Sequence, residues 1–241
     1  MVDACFSVPR LAAVYDALDG PRDDLELYLG IVAEFGARSV LDVGCGTGVL
    51  ACEIARRGLH VTGVDPAEAS VAIAQDKPFA DRVRWIIGGA EAYDGPPVDV
   101  ITMTGNVAQV FVENEDWDRC LVACHRALRA GGWLVFETRD PQRQAWIHWT
   151  PDRTRHSVPL PGGGHVTAWC ELTGVAPPLI SFRWTYTFDG DGAFLTSDST
   201  LRFRQPEELT DDLTRNGFRL TEVRDAPDRP GAELVCLAQR E

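Results

Sequence analysis

The feature that most constrains the fold of this chain is a glycine-rich turn between a short apolar run and a helical pattern. Residues 41–48 read LDVGCGTG, with Gly44, Gly46 and Gly48 at alternate positions. Apolar side chains at helical spacing follow from Ala51 onward. Glycine adopts backbone angles that other residues resist and lets a ligand approach the main chain without a Cβ in the way. The segment therefore predicts a strand, a turn and a helix start that suit a nucleotide-like cofactor.

An acid before the glycines, Asp42, indicates which kind of cofactor suits the turn. A dinucleotide fingerprint reads G-x-G-x-x-G, but counting from Gly44 the sixth position is Val49. A carboxylate beside the turn would also repel a pyrophosphate and attract a cation. The spacing D-x-G-x-G-x-G therefore favours a positively charged cofactor, with Cys45 as a small side chain inside the turn.

A second acid, Asp65, ends the next predicted strand, His60–Val64, which follows a helix from Val49. This order of strand, helix and strand completes a βαβ unit. Asp65 comes 17 residues after Gly48, close to the roughly 20 residues at which such an acid meets ribose hydroxyls. Asp65 with Pro66 is also a typical helix start, and both interpretations can hold together.

Composition excludes several kinds of partner. The chain has 241 residues, a net charge of −13 and a pI near 4.8. Binding to nucleic acid or to an acidic membrane requires concentrated lysine and arginine, so we expect neither. No segment approaches the about 20 apolar residues that span a membrane, and the N-terminus lacks a signal-peptide pattern, so a cytoplasmic location is expected. The length fits one domain over residues 1–241 with an insertion.

The seven cysteines form no metal-binding pattern. No C-x-x-C pair occurs in the sequence. Cys120 and Cys124 are one helical turn apart, but two thiols on one helix face are too few ligands for a structural metal. We therefore expect no metal site and read these cysteines as buried thiols.

Predicted strands and helices alternate through the first 140 residues, which indicates an α/β fold with an open, doubly wound sheet. Ligands of such sheets lie beyond the carboxyl ends of the strands. The predicted strands are 39–43, 60–64, 83–87, 98–103 and 133–137. Residues 141–204 then contain three β-rich segments, 165–172, 180–188 and 194–203, which predict an antiparallel β cap inserted after strand five. A helix at 206–216 and a hairpin follow.

Four landmarks in this order resemble the class I S-adenosylmethionine-dependent methyltransferases. They are the turn at 41–48, Asp65, the run VDVITMTGN at 98–106 and HRALRAGGWLVFE at 125–137. The cap resembles that of small-molecule methyltransferases, including the amino-sugar N-methyltransferases. The resemblance implies a Rossmann-like, seven-stranded, mostly parallel sheet, in which an antiparallel strand seven lies between strands five and six. It also implies S-adenosylmethionine as cofactor, S-adenosylhomocysteine as product, and methyl transfer to a nitrogen or oxygen of a small molecule.

The resemblance also implies where the cofactor would lie. Beyond the glycine turn, Asp65 and Pro66, contacts are expected from Thr104, Gly105 and Asn106 after strand four. Tyr15 is expected to close over the cofactor from the N-terminal segment, although helix packing explains this residue equally well.

Adenine recognition departs from the family pattern after strand three. Family members often carry an acid there that accepts a hydrogen bond from the adenine amine, but this chain has Gly89. The Ala90 backbone amide and the Glu91 carboxylate are the expected substitutes. A solvated glutamate at a helix start is the alternative interpretation of Glu91.

The acceptor site is expected beyond strands four and five and in the cap. A sulfonium methyl is already activated, so the protein mainly aligns the acceptor, which alone supplies roughly 7 to 11 kcal/mol, and removes a proton where needed. The candidate groups are Asn106, Gln109, Glu137, Arg139, Asp140, His148 and His156, and each histidine is also compatible with a packing or surface role. Residues 139–156 are rich in arginine, and either bind an aromatic or anionic part of the acceptor or form an exposed loop paired with carboxylates.

Two other functions stay open from the sequence. A non-catalytic S-adenosylmethionine-binding sensor would have the same cofactor site. A nicotinamide-dependent oxidoreductase would need the glycine spacing that Val49 breaks. The expected partner is a small-molecule acceptor, and the expected assembly is a monomer or a homodimer.

Overall fold

Two β-sheets organise the chain, of which the computed structural model describes residues 2–241. The strands of these residues are β1 (Ser39–Val43), β2 (His60–Asp65), β3 (Val83–Ile87), β4 (Val98–Met103), β5 (Leu128–Arg139), β6 (His156–Pro159), β7 (His165–Ala176), β8 (Leu179–Phe188), β9 (Phe194–Arg202), β10 (Phe218–Asp225) and β11 (Glu233–Arg240). The α-helices are α1 (Ala4–Ser7), α2 (Pro9–Asp19), α3 (Leu25–Glu34), α4 (Val49–Arg56), α5 (Glu68–Gln75), α6 (Asn114–Ala127), α7 (Pro151–Thr154) and α8 (Pro206–Arg215).

The larger sheet has seven strands in the order β10, β11, β5, β4, β1, β2, β3. Strand β11 runs antiparallel to both of its neighbours, whereas the pairs formed by β1 to β5 are parallel. This is the predicted topology, with strand seven between strands five and six. The reversal of order beside β1 places the carboxyl ends of β1 and β4 together at the switch point, where open sheets bind ligands.

Both faces of this sheet are covered by helices, as the apolar runs of its central strands require. On one face, Ile101 and Met103 of β4 belong to a core that includes Trp117 of α6 and Leu213 of α8. On the other face, Val100 belongs to a core built from α3 and α4. Alternate residues of one strand therefore enter two separate cores.

The second sheet has four antiparallel strands in the order β6, β7, β8, β9. It lies in the chain between β5 and α8, where a β cap was predicted, but the prediction of three strands was wrong because β6 was missed. Strand β6 is short, lies at the sheet edge and ends on Pro159. A proline donates no hydrogen bond and is tolerated at an edge, so the sequence of β6 does not resemble a central strand.

Two N-terminal helices, which the sequence pattern did not reveal, connect the two sheets. Cys5, Leu11 and Val14 of α1 and α2 pack against residues of β7 and β8. The Ser70 hydroxyl of α5 donates to the Phe6 carbonyl at 3.0 Å, and Lys77 forms an ion pair with Asp16. The N-terminal segment therefore lies across the edge of the larger sheet that carries the glycine turn.

The helices do not include a membrane-spanning candidate: none that residues 2–241 form is long and apolar enough to cross a bilayer.

Replacing Trp117 with alanine should strongly destabilise the fold. Trp117 is fully buried, and its ring centroid lies 5.4 Å from that of Phe111 and 5.8 Å from that of Phe136. The cavity left behind should lower the free energy of unfolding by about 3 to 5 kcal/mol in urea titrations. Val122→Ala, on the same helix with 46% of the residue exposed, should change it by under about 1 kcal/mol. Equal effects of the two variants would contradict this account of the core.

Candidate active site

The three glycines of the turn at residues 44–48 have different surroundings. All have positive φ angles, of 70°, 53° and 77° for Gly44, Gly46 and Gly48. A Cβ on Gly44 would lie 2.5 Å from the Val107 side chain, and one on Gly48 would lie 2.5 Å from Trp85. A Cβ on Gly46 would meet no atom of residues 2–241 within 4 Å. Packing therefore requires glycine at 44 and 48, whereas Gly46 leaves its main chain open to a ligand.

Asp65 lies at the end of β2 and turns its carboxylate toward the glycine turn. Its Oδ2 accepts a hydrogen bond from the Gly46 amide at 2.8 Å, and its Oδ1 accepts one from the Ala67 amide at 2.7 Å. Burial raises the pKa of this carboxyl, while the two amide bonds act in the opposite direction. Asp65 therefore contacts the glycine turn and also precedes α5, as the helix-start interpretation predicts. Its binding to ribose hydroxyls stays a prediction. Pro66 is exposed beside it.

Asp42 is buried in β1, directly before the turn. The Thr102 hydroxyl of β4 donates to Asp42 Oδ1 at 2.6 Å. Burial raises the pKa of Asp42 to about 6, and the Thr102 bond opposes this shift. Cys45 is half-buried in the turn, and burial raises the pKa of its thiol. On the other side of the turn, the Thr47 hydroxyl donates to Asp16 of α2.

The loop after β4 is held by a buried carboxylate at the end of β5. Gly105 and Asn106 both have left-handed backbone angles, with φ of 70° and 60°. Their amides donate to Glu137 Oε1 at 2.6 and 3.1 Å. The Tyr28 hydroxyl of α3 donates to the other oxygen of Glu137. Successive amides that converge on one carboxylate fix the loop conformation and offset the cost of burying the charge.

A second buried carboxylate, Glu233, adjoins this loop. Its Oε1 accepts from Asn106 Nδ2 at 3.0 Å and from Arg229 Nη1 at 2.7 Å, and Arg139 Nε lies 3.8 Å away. Glu233 comes to this position because it is opposite Arg139 in the pairing of β11 with β5. Within the described part of the chain, Asn106 Oδ1 and Glu233 Oε2 are buried without a hydrogen-bond partner.

A polar cavity of about 420 Å³ opens beside this loop. Two of its charged pairs are made within the protein: Arg22 with Asp24 at 2.6 Å and Arg229 with Asp228 at 2.9 Å. Asp19 and Asp23 have no ion-pair partner among residues 2–241. The lining residues are Tyr15, Asp19, Pro21, Arg22, Asp23, Asp24, Gly105, Asn106, Arg139, Asp228 and Arg229.

The predicted adenine-side residues lie at the carboxyl end of β3. Ala90 is buried, whereas Glu91 is exposed with its carboxylate folded beside Gly89. Ile87 is 55% exposed at the last position of β3, which is high for a large apolar side chain. This edge therefore offers an apolar surface next to a carboxylate. Thr104, between β4 and the cavity, is buried.

The structure brings some of the predicted site residues to the cavity and gives others different partners. Tyr15, Gly105, Asn106 and Arg139 line it. His148 is exposed and its Nδ1 lies 2.5 Å from Arg153. The ring nitrogens of His156 lie 2.8 and 3.0 Å from the carbonyl oxygens of Thr154 and Leu18, so this side chain joins β6 to α2.

The arginines of residues 139–156 likewise have separate surroundings. Arg139 donates to Gln109 Oε1 at 2.9 Å. Arg143 lies 3.8 Å from Asp140, and the guanidinium of Arg155 lies 4.1 Å from the centre of the Trp169 ring. The segment is therefore not one continuous basic surface. Binding of an acceptor by Arg153 and Arg155 stays a prediction.

Sequence analysis missed most of the cavity lining, and it missed Tyr28 and Glu233, which bond to Glu137 and Asn106. The missed lining residues are Asp19, Pro21, Arg22, Asp23, Asp24, Asp228 and Arg229. Tyr28 looked like one more apolar position of an amphipathic helix, and its hydroxyl meets Glu137 across 109 residues of sequence. Glu233 is the first residue of β11, and its place beside Arg139 depends on how β11 pairs with β5, which the local sequence does not show. The unusual signal in the sequence was charge, since acids and arginines cluster at residues 19–24 and 228–233.

Alanine at the turn should have different effects at 46 and 48. Both variants force alanine into a left-handed conformation, which costs about 1 kcal/mol. Gly48→Ala also overlaps Trp85 and Ala74, which should add about 1 to 3 kcal/mol. Urea denaturation should therefore find Gly48→Ala clearly less stable than Gly46→Ala. The reverse order would mean that Gly46 is not the open position.

The raised pKa of Asp42 should make the protein less stable as pH rises. A carboxyl with a pKa of 3.8 when unfolded and about 6 when folded stabilises the fold fully below pH 4, and this contribution is lost as pH rises through 6. The shift of about two units corresponds to about 3 kcal/mol. Asp42→Asn, which keeps an acceptor for Thr102, should lose this dependence when both proteins are unfolded in urea from pH 4 to 7. Parallel pH profiles would contradict the shift.

Comparison with known proteins supports the predicted resemblance over the region that contains the turn. The family described as methyltransferase domain matches residues 40–132. The ubiquinone biosynthesis O-methyltransferase of Pseudomonas syringae is 33% identical over 120 residues, 48% of this chain and 50% of that protein. The chain thus spans about half the length of the curated relatives it matches.

Solved structures resemble nearly the whole chain. The CcbJ methyltransferase of Streptomyces caelestis aligns with a TM-score of 0.77 and 21% identity, over 98% of this chain and 96% of that one. CalS10, an amino pentose methyltransferase from Micromonospora echinaspora, aligns with a TM-score of 0.70 and 21% identity, over 95% and 97%. Residues 40–132 therefore match a methyltransferase domain, and the chain has the same fold as these solved methyltransferases.

Proposed function

We propose that this protein transfers a methyl group from S-adenosylmethionine to a nitrogen or oxygen of a small, polar acceptor. The observation that carries the proposal is that one loop, the loop after β4, contacts both the glycine turn and the polar cavity. Val107 packs on Gly44 of the glycine turn, and the preceding residues, Gly105 and Asn106, line the polar cavity. A cofactor on the turn and an acceptor in the cavity would therefore be neighbours.

The residues around the turn fit S-adenosylmethionine, which when bound supplies a methyl group activated on a sulfonium. Gly46 leaves space for a ligand against its main chain. Asp65 has carboxylate oxygens for ribose hydroxyls, and Ile87 with the Ala90 amide suits an adenine ring. The carboxylates of Asp23 and Asp24 suit the ammonium group, and Arg22 and Arg139 suit the carboxylate. These carboxylates would repel the negatively charged pyrophosphate of a nicotinamide cofactor, so the site disfavours that cofactor.

The cavity residues would bind and orient the acceptor. Asn106 is fixed through its backbone amide and its Nδ2, so it forms a rigid part of the cavity wall. The Asp19 carboxylate, which has no ion pair within residues 2–241, takes the proton that leaves the nucleophile. Burial raises the pKa of Tyr15, so its hydroxyl stays protonated and can donate a hydrogen bond.

An oxygen acceptor and an amino pentose acceptor both have precedent among the similar proteins. The Pseudomonas syringae relative is an O-methyltransferase, and CalS10 is an amino pentose methyltransferase. A cavity lined by charged groups and a tyrosine suits a polar acceptor of either kind. It also favours an enzyme over a sensor that only binds the cofactor, because a sensor needs no acceptor-sized space beside the turn.

Calorimetry with S-adenosylmethionine and S-adenosylhomocysteine tests the cofactor. Wild-type protein should bind both, and Asp65→Ala should bind about 10- to 100-fold more weakly, because charge-assisted bonds are worth about 1.5 to 3 kcal/mol. Asp152→Ala, an exposed acid on α7, is the matched control and should bind like wild type. Absence of binding to the wild-type protein would refute the proposed function.

A screen with tritiated S-adenosylmethionine tests the transfer. Amines, phenols and carboxylates should be offered separately, and tritium should appear in a product of the amine or hydroxyl class. Asp19→Asn should lower the rate with that acceptor, most strongly at a pH where the wild-type carboxylate is ionised and least at low pH, where the wild-type base is already protonated. Tight cofactor binding without transfer to any acceptor class would instead support the sensor.

A further inference from the structure

Two arginines at the exit of the second sheet hold the loop that carries Asn106. We call residues 105–112 the acceptor loop. Arg204 Nη1 and Nη2 donate to the carbonyl oxygens of Ala108 and Phe111 at 3.1 and 2.7 Å. Arg202 Nη1 donates to the Val112 carbonyl at 3.1 Å, and its Nη2 donates to Glu208 at 2.6 Å. Three carbonyls of one irregular loop therefore depend on two guanidinium groups from a distant part of the chain.

Burying the Arg204 guanidinium costs desolvation free energy that its partners only partly offset. Its side chain is only 2% exposed, and Asp212, the acid paired with it, lies 3.7 Å away, beyond hydrogen-bond distance. Arg204 Nε and Asp212 Oδ2 are both buried without a hydrogen-bond partner among residues 2–241. Burial lowers the pKa of Arg204 to about 10. Apolar side chains often fill such a position at lower cost, so the specific gain here is directional bonding to the loop.

The acceptor loop contacts the glycine turn, the polar cavity and the end of β5. Val107 packs on Gly44 of the glycine turn, Asn106 lines the cavity, and Gln109 accepts from Arg139. Glu137 holds the start of the loop, at Gly105 and Asn106. The arginines hold its other end, so the loop is fixed from the larger sheet and from the second sheet together.

We propose that Arg204, assisted by Arg202, is a positioning residue that holds the acceptor loop in the conformation the cofactor and the acceptor require. This rests on the proposed function for what the loop serves. Neither arginine is among the described residues that line the polar cavity. Both therefore act through the backbone of the acceptor loop. Because both arginines lie at the end of β9, the position of Asn106 depends on the second sheet.

The test compares Arg204→Met with a matched control, Arg240→Met. Arg240 also donates to a backbone carbonyl, that of Leu128, but it lies at the opposite end of β11 from Glu233. Hydrogen exchange of the amides of residues 105–112 should become about tenfold faster in Arg204→Met and stay unchanged in Arg240→Met. S-adenosylhomocysteine should bind Arg204→Met about tenfold more weakly well below its unfolding temperature, because a smaller fraction of the protein has the competent loop.

Two milder variants keep the test decisive if Arg204→Met does not fold. Arg204→Lys retains the charge but can reach only one carbonyl, and Arg202→Met removes the single bond to Val112. Both should accelerate exchange in the acceptor loop by less than Arg204→Met. Wild-type exchange and wild-type affinity in these variants, or equal changes in Arg240→Met, would overturn the proposal. If wild-type protein fails to bind S-adenosylhomocysteine while the exchange differences appear, the proposed function fails and the positioning of the loop stands.

Discussion

The buried carboxylate of Glu137 is the interaction on which the geometry of the site depends. It lies at the end of β5 and accepts hydrogen bonds from two loop amides and from Tyr28 of α3. Burial and the neighbouring Glu233 raise the pKa of Glu137, so its charge is tolerated only because donors surround it. Those donors place Gly105 and Asn106 at the mouth of the cavity. Removing the carboxylate would leave the amides of a left-handed segment without a partner.

Charge at this end of the sheet is arranged in two layers. Glu137 and Glu233 form the buried layer, and each accepts hydrogen bonds from donors of the protein. The aspartates and arginines of the cavity form the outer layer, where Asp19 and Asp23 lack ion pairs within residues 2–241. The buried layer fixes positions, whereas the outer layer is available to a charged or polar ligand. This division explains how an acidic chain maintains a defined polar site without compensating every charge.

Much of the architecture was predictable because local patterns agree with the fold. The strands at 39–43, 83–87 and 98–103 have the predicted bounds, since buried parallel strands are short apolar runs between turn signals. The glycine turn and Asp65 were also found from spacing alone. The helices α1 and α2 and the edge strand β6 were not found, because α1 and β6 have only four residues each and all three are stabilised by packing on other elements.

The sequence by itself determined the alternation of strand and helix, the turn that only glycine can form, and the acids beside it. These features depend on neighbours in the chain, so one sequence contains them. Tertiary structure alone decided that Tyr28, Glu233, Arg202 and Arg204 belong to the site. Tyr28 reaches Glu137 across 109 residues of sequence, and the other three reach the loop after β4 across 90 residues or more. These contacts depend on a strand register or a helix packing that no local pattern encodes. A directional hydrogen bond depends on where both partners lie in space, and only the folded chain brings them together.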